Sequence, residues 1–274
     1  MSILTEIYEL ANGVKIPKMA LGTWQVSNDV VVDSVGAALK NGYRHIDTAF
    51  AYQNEEGVGK AVRKSGIPRQ ELFITTKIPA ETKSYVEAVA TIKKSLENLN
   101  MDYIDLLLIH APKPWKEMFE GSKKTYFSEN IEVWTAMEEA YKSGKVRAIG
   151  VSNFNVADIK NLMDNCEVKP TTNQIRFFIG NTQDEITIFC QGNDILVEGY
   201  SPIATGGLLK NETIAEMAKK YGKTIAQLCI RYVLQRGTLP LPKSTHEEYI
   251  IQNTNVDFEI SKEDMEYLNS QKFS

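Results

Sequence analysis

The sequence predicts an α/β fold, a (β/α)₈ (TIM) barrel with an N-terminal β-hairpin. Short apolar runs of strand length occur eight times, and a segment with helical periodicity follows each of them. The strand–helix unit recurs about every ~30 residues. Eight such units in 274 residues favour a closed barrel over an open doubly wound sheet. No linker rich in proline, glycine or serine interrupts this pattern, so we expect one domain over residues 1–274.

The chain begins with a hairpin signal. Tyr8–Leu10 and Val14–Ile16 alternate in polarity on either side of Asn12-Gly13, a dipeptide that favours the positive φ angles of a tight turn. The eight barrel strands are predicted at residues 19–22, in a short run ending at 47, and at 72–77, 104–110, 146–152, 172–175, 195–200 and 238–241. Helices are predicted near residues 28–40, 55–65, 85–99, 131–141, 155–163, 182–190, 212–221, 224–236 and 247–253, with Asn28 as the N-cap of the first.

Composition narrows the class of protein. Hydrophobic residues make up 43% and charged residues 24% of the chain, which is typical of a globular protein. The net charge of −4 predicts no nucleic-acid or membrane partner. The three cysteines, Cys166, Cys190 and Cys229, are too far apart for a metal or redox pair. The first residues lack the pattern of a signal peptide, and no apolar run reaches the ~18 residues of a membrane span. We therefore expect a cytoplasmic location.

Four ionisable side chains fall at the carboxyl ends of predicted strands, where barrels carry their chemistry. Asp47, Lys77 and His110 end three of these strands, and Tyr52 lies in the segment after Asp47. Each residue alone has an ordinary structural explanation: a cap, a half-buried aromatic, a lysine reaching solvent or a core histidine. The combination of four different types in one layer of the barrel indicates a site that handles a proton.

These four residues suit the protonation of an oxygen that gains negative charge. A free tyrosine has a pKa near ~10, and a neighbouring ammonium such as Lys77 is expected to lower it by roughly 1–3 units. Asp47 would hold Lys77 in place, and His110 would orient a substrate carbonyl. Hydride addition to a carbonyl creates an oxygen of this kind, and a donor poised in this way contributes roughly 10²–10⁴-fold.

Several motifs together resemble the aldo-keto reductase family, most of all bacterial members related to diketogluconate reductases. They occur in the family's order over nearly the whole chain. The matching segments are Gly22-Thr23-Trp24, Ile46-Asp47-Thr48-Ala49 with Tyr52, Asn54 and Glu55, the strand into Lys77, Asp105–His110, Gly150–Phe154, Asn173-Gln174, Tyr200-Ser201-Pro202 and Leu241–Ser244.

The resemblance implies reversible, NADPH-dependent reduction of a small carbonyl substrate, with Tyr52 as the proton donor. It implies that Ser152, Asn153 and Gln174 bind the nicotinamide carboxamide, that Tyr200 stacks on the ring, and that Ser201 and the Gly206-Gly207-Leu208 loop follow the pyrophosphate. The remaining cofactor residues would be Thr23, Lys243, Ser244, Tyr249 and Asn253, and the substrate residues Trp24, Tyr52, His110, Ala111 and Trp115. It also implies a monomer.

This sequence departs from the family pattern at three positions. Tyr249 stands where an arginine often pairs with the adenosine 2′-phosphate, so we expect a weaker preference for NADPH over NADH and some use of NADH. Ala111 replaces a common tryptophan and is expected to widen the pocket. Arg176 stands where glutamate is usual, and the sequence offers no account of it. The segment 111–127 is either a wall of the pocket or a surface excursion.

Two other functional classes fit parts of the pattern. Lys77 could form a Schiff base in a lyase or aldolase barrel, and the same scaffold could bind a cofactor without catalysis. The full set of cofactor motifs argues against the first alternative, and the retained four-residue set argues against the second. The three histidines lack metal-ligand spacing, so no catalytic metal is proposed.

Overall fold

The computed structural model describes residues 2–272. A hairpin of two short antiparallel strands, β1 (Ile7–Glu9) and β2 (Lys15–Pro17), comes first. Of the predicted turn dipeptide only Gly13 has a positive φ, at 81°, so the expectation for Asn12 was wrong. The connection is a longer loop, closed by the Leu10 N–H donating to the Val14 carbonyl at 2.9 Å, and it needs only one left-handed residue.

Eight parallel strands follow, each hydrogen-bonded to its neighbours in chain order. They are β3 (Leu21–Gly22), β4 (His45–Asp47), β5 (Phe73–Ile78), β6 (Ile104–Ile109), β7 (Val146–Ser152), β8 (Thr172–Arg176), β9 (Leu196–Tyr200) and β10 (Leu239–Leu241). The Gly22 N–H donates to the Pro242 carbonyl at 2.9 Å, which links the first strand to the chain that leaves the last. The predicted barrel is therefore confirmed.

Eleven helices surround the barrel within residues 2–272. They are α1 (Asn28–Lys40), α2 (Glu55–Lys64), α3 (Tyr85–Leu99), α4 (Trp115–Phe119), α5 (Phe127–Lys142), α6 (Val156–Asn165), α7 (Asp184–Gln191), α8 (Glu212–Lys220), α9 (Ile225–Gln235), α10 (Glu247–Gln252) and α11 (Lys262–Ser270). The sequence reasoning missed α4, which is too short for a periodic pattern, and α11, which buries only Asp264 and Leu268. Ser27, not Asn28, occupies the N-cap position of α1, without a side-chain capping bond. The side chain of Asn28 instead accepts from the Gly57 N–H at 2.8 Å.

Successive side chains of a strand point alternately into the barrel and toward the helices, where they pack in two apolar cores. This alternation decides which side chains face the site. On β6, Leu106 and Leu108 face a core inside the barrel, whereas Leu107 and Ile109 face the helices. The hairpin closes the amino-terminal end of the barrel, because Leu10 and Ile16 pack into the inner core. Residues two positions beyond the last inward-facing core residue also point inward, at the open carboxyl end of the barrel. His110, two residues after Leu108, is one of them.

Candidate active site

Lys77 and Asp47 form a buried ion pair between adjacent strands. Lys77 ends the inward-facing register of β5, and its fully buried Nζ donates to both carboxylate oxygens of Asp47 at 2.7 and 2.9 Å. A third hydrogen bond, 2.8 Å long, reaches the Thr48 carbonyl. Burial is the largest single effect and by itself would lower the pKa of Lys77, but the charge and hydrogen bond of Asp47, together with Tyr52 and Glu198, outweigh it and the pKa is raised. Lys77 is therefore a permanent ammonium held in one position.

Tyr52 lies in the turn after β4, with its ring beside this ammonium. The ring centroid is 5.2 Å from Lys77 Nζ. Burial raises the pKa of the Tyr52 phenol by more than the Lys77 charge lowers it. The expected net lowering was therefore wrong, because loss of solvent disfavours the phenolate more than the ammonium favours it. The phenol consequently carries its proton at neutral pH.

His110 completes the group of four and is uncharged. Its ring makes edge contacts with the rings of Tyr52 and Trp115, at centroid distances of 5.5 and 5.2 Å. Burial lowers the pKa of His110 to about 3, and the charge of Lys77 adds to this effect. Within residues 2–272, His110 Nδ1 has no hydrogen-bond partner. A neutral imidazole with an unused nitrogen is able to bind a polar group of a ligand.

A second polar group joins the ends of β7, β8 and β9. Ser152 and Gln174 are paired in the β7–β8 register, and Ser152 Oγ donates to the Gln174 carbonyl at 2.8 Å. Asn153, in the left-handed conformation with φ 61°, donates from Nδ2 to the His110 carbonyl at 2.9 Å. The Tyr200 hydroxyl donates to Asn153 Oδ1 at 2.8 Å. These contacts place amide and hydroxyl groups directly beside His110.

Gln174 connects the two groups and leads to Glu198, a residue that the sequence reasoning missed. Gln174 Nε2 donates to Asp47 Oδ2 at 2.8 Å and to Glu198 Oε2 at 2.7 Å. Glu198 is fully buried on β9, and burial raises its pKa to about 7, with the Asp47 charge adding to the shift. The sequence feature that could have identified Glu198 is an acidic residue inside an apolar strand. It lies two residues before Tyr200 and therefore on the same inward face.

The other predicted cofactor residues lie farther along the rim. Thr23 is buried, and its hydroxyl donates to the Asp47 carbonyl at 3.0 Å. Ser201 has a left-handed φ of 52°, and Leu208 is buried in the outer core. A separate cluster lies after β10, around helix α10. There Lys243 and Tyr249 are exposed, Ser244 Oγ accepts from the His246 N–H, and the Asn253 N–H donates to the Tyr249 carbonyl.

The predicted substrate residues differ in the exposure of their side chains. Trp24 is 47% exposed, on a loop that Asn54 holds through bonds from its Nδ2 to the Thr23 and Val26 carbonyls. Ala111 is fully buried, so its side chain presents no surface, and the ring beside His110 comes from Trp115 instead.

The segment 111–127 therefore combines both of the expectations for it. Trp115 lines the space beside His110, whereas Phe119 stacks on Trp115 at 5.8 Å and is 84% exposed.

A family model described as "Aldo/keto reductase family" matches residues 18–272. The chain belongs to the aldo/keto reductase family. It is therefore an NAD(P)H-dependent oxidoreductase, as the motifs predicted.

Individual relatives agree with this assignment. The glyoxal reductase of Bacillus subtilis is 43% identical over 97% of this chain and 93% of its own length. Methylglyoxal reductase DkgA of Escherichia coli is 37% identical over 94% and 90% of the two chains. The crystal structure of a Bombyx mori aldo-keto reductase in complex with NADP superposes with a TM-score of 0.86 at 35% identity, covering 96% of this chain and 92% of that one.

The residues of this aldo/keto reductase fit a nicotinamide cofactor. Ser152, Asn153 and Gln174 supply hydroxyl and amide groups at one place, which is the chemistry that a carboxamide requires. Tyr200 is only partly buried, so its ring is accessible beside them. Arg176 is exposed with its guanidinium 5.0 Å from the Phe178 ring, and nothing in the structure explains its replacement of glutamate.

Within residues 2–272, no three histidine, cysteine or acidic side chains are grouped as metal ligands would be. None of the helices described for this part of the chain has both the length and the apolar character to cross a membrane.

Proposed function

We propose that this protein reduces small aldehydes and α-dicarbonyl compounds to alcohols with NADPH, reversibly, and that Tyr52 gives the proton. The observation that carries the proposal is the buried Lys77 ammonium, fixed by Asp47 and 5.2 Å from the Tyr52 ring centroid. The names of two relatives, a glyoxal reductase and a methylglyoxal reductase, support α-dicarbonyls as the substrate class. The bound nicotinamide would supply a hydride to the carbonyl carbon.

Each of the four side chains has a distinct task in this reaction. His110, which is neutral, donates a hydrogen bond to the carbonyl oxygen and orients it toward Tyr52. Tyr52 keeps its proton until that oxygen gains negative charge and then transfers it. Lys77 stabilises the resulting phenolate, because an ammonium beside a buried anion interacts with it more strongly than it would in water. Asp47 holds Lys77 in position and compensates for the burial of its charge.

The ion pair also weighs against a Schiff-base lyase. A lysine attacks a carbonyl as a neutral amine, but the pKa of Lys77 is raised, because the effects of Asp47, Tyr52 and Glu198 together outweigh that of burial. All three hydrogen bonds of its Nζ go to Asp47 and Thr48. The amine would have to lose these partners before it reacted.

Replacement of the donor tests the proposal. Tyr52→Phe removes the transferable proton and leaves the ring, so we expect kcat to fall at least about 10²-fold. The Kd for NADPH, measured by fluorescence quenching, should stay within about twofold. Activity is followed by the loss of NADPH absorbance with aldehydes, α-dicarbonyls and keto-sugars. Tyr267→Phe, on the partly exposed α11, is the matched control and should be fully active. Turnover of Tyr52→Phe within tenfold of the wild type would mean that another group donates the proton.

We further propose a modest preference for NADPH over NADH. Lys243 is an exposed cation at the rim, whereas Tyr249 brings no charge, and its exposed ring lies 5.7 Å from that of His246. A tyrosine stacks on a base but does not pair with a phosphate. A single-domain monomer in the cytoplasm, without a nucleic-acid or membrane partner, remains our expectation. The net charge of −4 supports the absence of a nucleic-acid or membrane partner.

A further inference from the structure

Glu198 is a buried ionisable group that the proposed reaction leaves without a task. It alternates on β9 with Leu196 and Tyr200, which pack against the core inside the barrel. Its side chain is fully buried, and within residues 2–272 its Oε1 has no hydrogen-bond partner. Its Oε2 accepts from Gln174 Nε2 at 2.7 Å. The carboxyl group thus acts on one neighbour, the side-chain amide of Gln174.

Two carboxyl groups together fix the orientation of that amide. The nitrogen of Gln174 carries two hydrogens, one directed at Asp47 Oδ2 and the other at Glu198 Oε2. The opposite orientation would set the amide oxygen against Asp47 Oδ2, which already accepts from Lys77 and has no hydrogen to donate, so that orientation is unfavourable. Within the described residues, both hydrogen bonds of the Gln174 side chain use Nε2, so Oε1 is left for a ligand.

We propose that Glu198 is a positioning residue for the cofactor. Together with Asp47 it holds the Gln174 NH₂ group, so that Gln174 Oε1 accepts a hydrogen bond from the carboxamide NH₂ of the nicotinamide. The inference rests on the proposed function, since it requires that the nicotinamide bind beside Gln174.

Asp47 alone does not suffice for this task. Its two oxygens already accept from Lys77, and only one of them also reaches Gln174. Without Glu198, the second N–H of Gln174 would be a buried donor with no acceptor, an arrangement unfavourable enough to rotate the amide.

The charge state of Glu198 does not alter this arrangement. The charged groups that act on it are Asp47 on β4 and Lys77 on β5, neither of which is a neighbour of β9 in the sheet, and Tyr200 lies two residues along its own strand. Burial raises its pKa to about 7, with the charge of Asp47 adding to the shift. A proton taken up on the unpartnered Oε1 would leave Oε2 as a carbonyl oxygen, which still accepts from Gln174. The hydrogen bond therefore persists in both protonation states.

A cofactor analogue tests the inference by binding alone. In 3-acetylpyridine adenine dinucleotide phosphate an acetyl group replaces the carboxamide, so the N–H donors are missing. The Kd of NADP⁺ and of this analogue would be measured by fluorescence quenching with the wild type, Glu198→Leu and Glu198→Met, which lack an acceptor, and Glu198→Gln, which retains one. The control is Thr172→Val, an isosteric change on β8 at a buried hydroxyl without a partner in residues 2–272.

We expect the preference of the wild type for NADP⁺ over the analogue to fall about 3- to 10-fold in Glu198→Leu and Glu198→Met, the effect of one hydrogen bond. Glu198→Gln should stay within twofold of the wild type, and Thr172→Val should not differ from it. An unchanged preference in Leu and Met, or an equal loss in Gln, would overturn the positioning role. If the wild type bound neither nucleotide, the proposed function itself would fail instead.

Discussion

Glu198→Gln should flatten the pH dependence of the stability of this protein. Burial raises the pKa of Glu198 to about 7, with the charge of Asp47 adding to the shift and Gln174 opposing it. In the unfolded chain a glutamate titrates near ~4.3. Between these values the unfolded chain has released its proton while the folded chain retains it, so stability falls as the pH rises. The contribution of the neutral carboxyl is complete below about 4.3 and lost above about 7.

The size of this change in stability follows from the difference between the pKa values of Glu198 in the folded and unfolded chains. One pKa unit corresponds to about 1.4 kcal/mol, so the wild type should lose on the order of 3 kcal/mol through Glu198 between pH 5 and pH 8. A glutamine does not titrate and loses nothing in that range. Only the difference between the two pH profiles is compared, so any constant effect of the substitution cancels.

Urea unfolding at about pH 5, 6, 7 and 8 measures the free energy of unfolding of each protein. Glu216→Gln, at an exposed position on α8, is the matched control and should follow the wild-type profile. If Glu198→Gln also followed the wild-type profile within about 0.5 kcal/mol, the folded protein would hold Glu198 ionised at pH 5. Burial would then not disfavour the charge of Glu198 in the folded protein.

Two further predictions concern the rim and the outer layer. Tyr249→Arg should raise the preference for NADPH over NADH about 5-fold or more, by adding a charge for the 2′-phosphate; an unchanged ratio of the two Kd values would refute our account of Tyr249. Gly59→Ala should lower the free energy of unfolding by about 2 kcal/mol or more, because a Cβ there would lie 2.0 Å from the Leu99 carbonyl oxygen. Gly36→Ala, with nothing within 4 Å of the added Cβ, should raise it by about 0.5–1 kcal/mol; equal effects of the two substitutions in urea unfolding would contradict the packing argument.

The sequence located the proton-handling residues because three of them end predicted strands and Tyr52 lies in the segment after one of these strands. Asp47, Lys77 and His110 follow runs of apolar residues, and parallel strands bring their carboxyl ends to the same face of a barrel. This property of parallel strands predicts that the residues lie near one another, although it gives no distances between them. It did not fix the balance of energies at Tyr52, where burial raises the pKa of the phenol more than Lys77 lowers it. Burial is set by the whole mouth of the barrel, which no local pattern encodes.

Other parts were beyond sequence reasoning for related reasons. Helix α4 follows no periodic pattern, and only the packing of Trp115 against His110 reveals its contribution to the pocket. In the sequence, Glu198 is a single polar residue within a strand. Only the structure shows that Gln174 joins it to Asp47. Gln174 and Asp47 are 127 residues apart in the chain.

The order of the eight barrel strands and of nine of the eleven described helices, the closed barrel and the types of residue at its mouth were determined by the sequence alone, because periodicity and strand ends are local properties. The tertiary structure decided which polar atoms meet, which protons are held, and that Glu198 and Asp47 share one amide. These contacts join strands that are distant in the chain, and their strength depends on the exclusion of water, which arises only when the barrel closes.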